Sequence, residues 1–246
     1  MTLLLDIGNT RVKWARPEGG KLAAQGAALH LDDQLPQALA QAFEGPNPKR
    51  VLACNVAGPL VGKAISDLCH DRYSLQPEFL ISSAEQCGVK NGYTDPARLG
   101  ADRWAALIGA FHEFGGPACV IDAGTAITVD AIGKRGQHMG GLIAPGPQSM
   151  RRALAGATAG LPDQGEGEFL LLAHDTRSGI TSGGWQAAAG LVERMHAHLV
   201  ATLGADTRFI ITGGDAGRLV KIVSAPFELC PDLVLQGLAV VAGAKP

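Results

Sequence analysis

The sequence predicts an α/β protein made of two copies of one unit, each running βββαβαβα. Three observations carry that expectation. An apolar run ending in Asp-x-Gly and a nearby Thr occurs twice, as Leu3-Leu4-Leu5-Asp6-Ile7-Gly8-Asn9-Thr10 and as Val120-Ile121-Asp122-Ala123-Gly124-Thr125. The two aspartates stand 116 positions apart in a chain of 246. Strand and helix patterns follow both copies in the same order. Glycine is abundant, 33 residues or about 13%, against about 7% in average usage. Aromatic residues are few, so the chain relies on tight turns and close packing. The boundary falls near Gly115-Gly116-Pro117, which gives domains of 1–115 and 116–246.

In the first copy, 2–7, 10–16 and 21–29 read as strands. The second alternates Val12 and Trp14 with Arg11, Lys13 and Arg16, as a half-buried strand does. Turn residues Gly8-Asn9 and Gly19-Gly20 separate the three. Leu35, Leu39, Ala42 and Phe43 fall at helical spacing after a capping Asp32-Asp33. A strand follows at 50–55. A helix then presents Leu60, Val61, Ala64, Ile65, Leu68 and Cys69 on one face. A strand at 78–82 and a helix at about 101–113 complete the copy.

The second copy places strands at 118–123, 126–132 and 137–144, with Gly133-Lys134-Arg135-Gly136 as a turn. Pro147 suits the first turn of a helix reaching about Ala155. Residues 161–168 read as loop. A long helix over 179–203 carries Ala187, Leu191, Met195 and Leu199 at i, i+4 spacing. Strand 207–212, helix 215–224, strand 226–230 and helix 232–243 follow. One extra helix apart, the order of the first copy returns.

Composition excludes several classes. Lys plus Arg number 21 and Asp plus Glu 23, for a formal net charge of −2, with no basic run longer than a pair. A nucleic-acid binder needs a basic surface to neutralise phosphates, so none is expected as a partner. Cys54, Cys69, Cys87, Cys119 and Cys230 form no C-x-x-C and are odd in number. That argues against a disulfide framework or zinc ribbon and suits a reducing, cytoplasmic setting. The start lacks a signal peptide's basic and apolar regions. The longest apolar run, Val234–Ala244, is too short to span a bilayer, so no membrane partner is expected. The seven histidines show no metal-ligand spacing and read as surface or ordinary polar positions.

Chemistry is expected at the glycine turns. Asp6-Ile7-Gly8-Asn9-Thr10 alone reads equally as a tight hairpin. Its second reading is a phosphate cradle: glycine admits an anion to backbone N–H groups, and Thr10 and Thr125 add hydroxyl donors. Asp6 and Asp122 suit a hydrated Mg²⁺. Two such turns facing a cleft would hold a nucleoside triphosphate. Gly58-Pro59-Leu60-Val61-Gly62-Lys63-Ala64 is one residue short of a P-loop and lacks its hydroxyl, and no dinucleotide fingerprint follows a strand. Thr212-Gly213-Gly214-Asp215 reads as a strand-to-helix turn capped by Asp215, or as a backbone surface for an adenosine. Gly140-Gly141 weakens a strand unless something approaches closely. Gly100-Ala101-Asp102-Arg103 opens a helix. Asp102 suits a helix N-terminus, but Arg103 is electrostatically out of place there. Together they could deprotonate a hydroxyl and fork onto a carboxylate.

Taken together, these segments resemble the type III pantothenate kinases, within the acetate/sugar kinase, heat-shock-chaperone ATPase and actin superfamily. Asp6–Thr10, Tyr93 with Pro96 and Leu99–Trp104, Asp122–Thr125, Gly140-Gly141 with Pro145-Gly146, and Thr212–Asp215 carry the resemblance, in order along nearly the whole chain. The Gly-Ala-Asp-Arg segment with its upstream tyrosine is the more specific part. The resemblance implies two ribonuclease H-like domains with a nucleotide cleft between them. It implies transfer of the ATP γ-phosphate to the primary hydroxyl of pantothenate, giving 4′-phosphopantothenate, the first step towards coenzyme A. It implies Asp102 as general base and Arg103 on the pantothenate carboxylate, with Tyr93, Gly100, Ala101 and Thr176 lining that pocket. Asp6, Ile7, Gly8, Asn9, Thr10, Arg11, Gly124, Thr125, Gly213 and Gly214 would hold ATP. Asp6 and Asp122 would hold Mg²⁺, and Asp130 a monovalent cation, K⁺ or NH₄⁺. A homodimer is implied as well. The family usually has Asn-Thr before the long helix, where this chain has Asp175-Thr176. The alternatives are another small-molecule kinase or phosphatase of the superfamily, and a non-catalytic ATP-binding transcriptional accessory protein.

Overall fold

The computed structural model describes residues 1–29, 35–157 and 165–243. Along the chain lie β1 (Thr2–Ile7), β2 (Arg11–Glu18), β3 (Lys21–Leu29), α1 (Leu35–Ala42), β4 (Arg50–Asn55), α2 (Pro59–Tyr73), β5 (Glu78–Phe79), β6 (Glu85–Gln86), β7 (Val89–Lys90) and α3 (Ala101–Phe114). After them come β8 (Ala118–Ala123), β9 (Ala126–Ile132), β10 (His138–Pro145), α4 (Pro147–Ala157), α5 (Thr176–Leu203), β11 (Arg208–Thr212), α6 (Ala216–Leu219), β12 (Glu228–Leu229) and α7 (Leu233–Val241). Among the described residues no helix is long and apolar enough to cross a membrane.

The chain forms two compact units. The first comprises Met1–Gly115, Lys134–Met139 and Asp232–Pro246; the second comprises Gly116–Gly133 and Gly140–Pro231. In the first unit the sheet order is β3-β2-β1-β4-β5. Strands β1, β2 and β3 pair antiparallel, whereas β4 and β5 join β1 in parallel. Leu3, Leu4 and Leu5 are all 0% exposed. An unbroken apolar run of that kind belongs to a strand covered on both faces. Leu3, Leu5, Ile7, Val12 and Trp14 pack with Leu35, Ala38 and Leu39 of α1 and Ile65 and Cys69 of α2. Helices α3 and α7 pack together and onto β1 and β4.

The second unit repeats the plan, with order β10-β9-β8-β11-β12. Here β8 and β9 pair antiparallel, β11 lies parallel beside β8, and β12 lies parallel beside β11. Cys119, Ile121, Ile127 and Val129 pack with Trp185, Ala188, Val192 and Leu199 of α5 and with Phe209 and Ile211 of β11. Asp6 and Asp122 each occupy the last-but-one position of the central strand of their sheet. The duplicated α/β architecture expected from the sequence is thus present.

Several details differ from expectation. The expected strands 78–82 and 226–230 shrink to the two-residue ladders of β5 and β12, and helix 215–224 shrinks to α6. On α2 the buried positions are Gly62, Ile65 and Cys69, while Leu60 is 83% exposed. Side chains tilt towards a helix N-terminus, so Leu60 in the first turn points past the apolar cover. On α5, Leu199 is buried as expected, Leu191 and Met195 pack half-buried against the same core, Trp185, Ala188 and Val192 join it, and Ala187 alone of the expected face is exposed. The Asp32-Asp33 cap lies outside the described residues, as does part of the 161–168 loop.

The compact units are also not two sequential halves. Helix α7 joins the first unit because glycine lets it lie directly on α3. A Cβ on Gly109 would stand 2.7 Å from the Leu233 carbonyl, and one on Gly237 would clash with the Ala105 carbonyl. The segment Lys134–Met139 joins it through Gly136, whose carbonyl accepts the Lys90 N–H at 2.9 Å.

Candidate active site

The first unit carries the Asp6–Arg11 turn. The Gly8 N–H donates to the Arg11 carbonyl at 3.0 Å, closing a turn that hands β1 to β2. Asp6 is half-buried, in register with Lys13 on one side and Cys54 on the other. Asn9 and Arg11 are exposed and Thr10 half-buried, so polar donors crowd the tip. Ile7 differs: its side chain is wholly buried and its carbonyl accepts the Val56 N–H at 3.0 Å. A Cβ on Gly8 would make only an ordinary 3.5 Å contact, and its φ is not positive. The chain's own packing therefore does not demand glycine at this position.

The same unit gathers Tyr93, Gly100, Ala101, Asp102 and Arg103. Helix α3 starts at Ala101, and its backbone anchors through Trp104, whose N–H donates to the Gly100 carbonyl at 2.9 Å. Asp102 is half-buried in the first turn, and its Oδ1 accepts the Arg103 backbone N–H at 2.7 Å. A Cβ on Gly100 would lie 2.6 Å from that oxygen, so glycine leaves room for the carboxylate. Arg103 is 6% exposed, and its Nη1 donates to the Tyr93 hydroxyl at 2.8 Å. A guanidinium is seldom buried without such partners. The loop bearing Tyr93 is braced by Asn91, whose Oδ1 accepts the Tyr93 N–H at 3.0 Å and whose Nδ2 donates to the Pro96 carbonyl at 3.1 Å. The unexpected member is His138. It was expected as an ordinary polar position, yet it is 3% exposed, with its ring stacked on Tyr93 at 5.8 Å and 21°.

In the second unit the Asp122–Thr125 turn is held from two sides. Its own closure is Gly124 N–H to the Ala126 carbonyl, 2.9 Å. The start of α4 leans on it: the Gly146 N–H and the Ser149 hydroxyl both donate to the Thr125 carbonyl, at 2.9 and 2.6 Å. The turn after β11 leans on it too, through the Asp215 N–H donating to the Ala123 carbonyl at 2.9 Å. Gly213, at φ +99°, has no room for a Cβ against Ala123 and Asp122. Its glycine is required by that approach alone. Gly124 would make only ordinary contacts with a Cβ, and Gly214 has open space there. Ser149 went unmarked in the sequence because nothing in its spacing ties it to residue 125.

Thr176 lies exposed in the first turn of α5, in the second unit and apart in sequence from the Tyr93–Arg103 group. Asp175 caps that helix: its Oδ1 accepts the Ser178 N–H at 2.8 Å. This backbone hydrogen bond, first among the causes, holds the carboxyl below the usual aspartate range. Asp130 is 2% exposed on β9. Burial first, and then the charge of Asp130, push the Cys119 thiol up.

Among the described residues no three His, Cys, Asp or Glu side chains gather into a metal-binding group. Asp6 in the first unit and Asp122 in the second are each a carboxylate of the type Mg²⁺ takes, since that ion keeps several waters and commonly uses one or two carboxylates plus substrate phosphates rather than a full protein cage.

A family profile described as type III pantothenate kinase matches residues 2–198. A type III pantothenate kinase from Aromatoleum aromaticum is 43% identical over 242 residues, covering 98% of each chain. Among solved structures, a conserved protein assigned to the Baf family of transcriptional activators from Campylobacter jejuni aligns over 99% of this chain and 98% of its own, with TM-score 0.62 and 20% identity. A ROK family glucokinase from Streptomyces griseus, solved with glucose and AMPPNP, aligns over 97% and 98%, with TM-score 0.50 and 15% identity. At those identities the structures speak to the fold alone.

Proposed function

The chain belongs to the type III pantothenate kinase family, and from that premise we propose that it phosphorylates the primary hydroxyl of pantothenate with ATP, giving 4′-phosphopantothenate for coenzyme A synthesis. The observation that supports the assignment of roles is the Tyr93–Arg103 pair next to Asp102 at the start of α3. Arg103, held by the Tyr93 hydroxyl, presents its planar fork to the substrate carboxylate. Tyr93, Gly100 and Ala101 line the pocket, and Thr176 contributes from the start of α5. Asp102 accepts the hydroxyl proton as the oxygen bonds to the γ-phosphorus. The bond from that phosphorus to the bridging oxygen breaks, and ADP leaves. Phosphoryl transfer asks chiefly for such positioning and for charge neutralisation.

ATP phosphates rest on backbone and hydroxyl donors of Gly8, Asn9, Thr10, Gly124 and Thr125, with Arg11 adding charge and Ile7 contributing backbone only. Gly213 and Gly214 offer backbone to the nucleoside. Gly8, Gly124 and Gly214 support this reading, since the fold itself does not require glycine there. Asp6 and Asp122 would hold Mg²⁺, which would supply charge neutralisation of the phosphates. Asp130 would hold the monovalent cation. We place the enzyme in the cytoplasm as a homodimer.

The test is ADP release by purified protein with Mg²⁺-ATP, in arms with and without pantothenate, and with K⁺ or Na⁺ as the only monovalent cation. Release that needs both pantothenate and K⁺ is expected, and Asp130→Asn should erase the difference between the K⁺ and Na⁺ arms. Release indifferent to pantothenate would sink the assignment and favour an ATP-binding accessory role or another substrate.

A further inference from the structure

We propose that His138 is a positioning residue for the acid-binding side of the substrate pocket, acting through Tyr93 on Arg103. The inference rests on the functional reading above and extends it to a residue that the sequence motifs leave out.

His138 is brought to the first unit by the turn between β9 and β10. That turn is built to reach its place. Lys90 of β7 pairs with Gln137 in a parallel bridge, and the Lys90 N–H donates to the Gly136 carbonyl at 2.9 Å. Gly136 has φ +79°, and a Cβ there would clash with the Gly88 carbonyl and stand 3.1 Å from the Phe111 ring of α3. Only glycine fits such a position. The turn is therefore clamped between the β6–β7 hairpin and α3, two residues before His138.

At that place His138 is 97% buried, yet it lies beside a half-exposed tyrosine. Its Nδ1 accepts the Gly92 N–H at 3.4 Å, a long hydrogen bond. Its ring lies nearly parallel to that of Tyr93, with centroids 5.8 Å apart. Offset stacking at this separation is a favourable arrangement for two aromatic rings. Tyr93 is thus fixed at three points: its backbone by Asn91, one ring face by His138, and its hydroxyl by Arg103. The guanidinium carbon of Arg103 stands 5.6 Å from the Tyr93 ring centroid. A shift of the phenol therefore carries the fork with it. Fixing the fork is what an anion-binding arginine needs, because its two parallel hydrogen bonds to a carboxylate demand a set orientation. The predicted consequence falls on binding of the acid, not on the γ-phosphate or the proton transfer.

The experiment compares the purified full chain with His138→Ala, His138→Leu and His138→Phe. It measures KM for pantothenate, KM for ATP and kcat, with thermal unfolding of each variant. Phe keeps a stacking ring, whereas Leu fills the space without one. His138→Ala and His138→Leu should raise the pantothenate KM roughly five-fold or more, the scale of a lost aromatic pair. The ATP KM and kcat should stay within about two-fold, the signature of lost ground-state binding. His138→Phe should return the pantothenate KM to within about two-fold of the unaltered chain. An unchanged pantothenate KM in folded His138→Leu overturns the proposal. So does an equal rise in both KM values, or a Phe variant no better than Leu. If His138→Ala does not fold, the contrast of Leu with Phe still decides. Should the unaltered chain fail to use pantothenate, the functional reading falls, and this inference with it; a working chain with indifferent variants removes the inference alone.

Discussion

At the scale of single residues, the proposed reaction turns on Asp102. Its carboxylate sits in the first turn of α3, and glycine at 100 leaves it room. If it accepts the hydroxyl proton, Asp102→Asn should lower kcat by roughly 10²–10⁴, the usual worth of a general base, with ATP affinity by calorimetry unchanged. Unaltered turnover would remove Asp102 from the role. Asp175 is a different kind of aspartate. Its carboxyl is held below the ordinary value of 3.8, chiefly by the Ser178 N–H. Stability from this cap is fully present above that ordinary value and is lost as pH falls through the lowered one. Asn also caps well, so Asp175→Asn should leave the melting temperature at pH 7 nearly unchanged and flatten its decline at acid pH. An equally steep acid limb in the variant would contradict that assignment. The Asp-Gly-Thr turns were legible in the sequence because their residues are neighbours. The pairing of Tyr93 with Arg103 was legible only through resemblance. His138 was not legible at all: its partner lies 45 positions away, and no local spacing marks it.

At the scale of elements, periodicity located nearly every strand and helix but not how each one ends or turns. Strands β5 and β12 are short because only two residues of each find partners in the parallel ladder. The buried face of α5 is wider than the expected stripe: Trp185, Ala188 and Val192 join Leu199 in the core, Leu191 and Met195 pack at its edge, and Ala187 lies outside it. The hairpin of β6 and β7 has no apolar alternation to announce it, and the polar Glu85 and Gln86 form half of it. The contact of α3 with α7 is the element-scale feature with the clearest consequence. Gly237→Ala would drive a methyl group into the Ala105 carbonyl. It should destabilise the protein by about 3 kcal/mol, the upper end for overpacking, read as a lower urea midpoint with an unchanged slope. A midpoint equal to that of the unaltered chain would mean that the helices do not pack so closely.

At the scale of the whole molecule, two sheets of identical strand order answer the question raised by a glycine-rich chain with a repeated motif. The duplication was visible because each copy begins on the same signal. The allegiance of α7 and of residues 134–139 to the first unit was not, since compactness is set by contacts far apart in sequence. Membership of the pantothenate kinase family then joins the fold to a reaction. The most direct test of that union is the identity of the product. Purified protein incubated with Mg²⁺-ATP, K⁺ and an equal mixture of pantothenate and a sugar such as glucose should yield 4′-phosphopantothenate by mass spectrometry, in step with ADP and with no sugar phosphate. ADP accompanied only by inorganic phosphate, or phosphate carried on the sugar, would contradict the account.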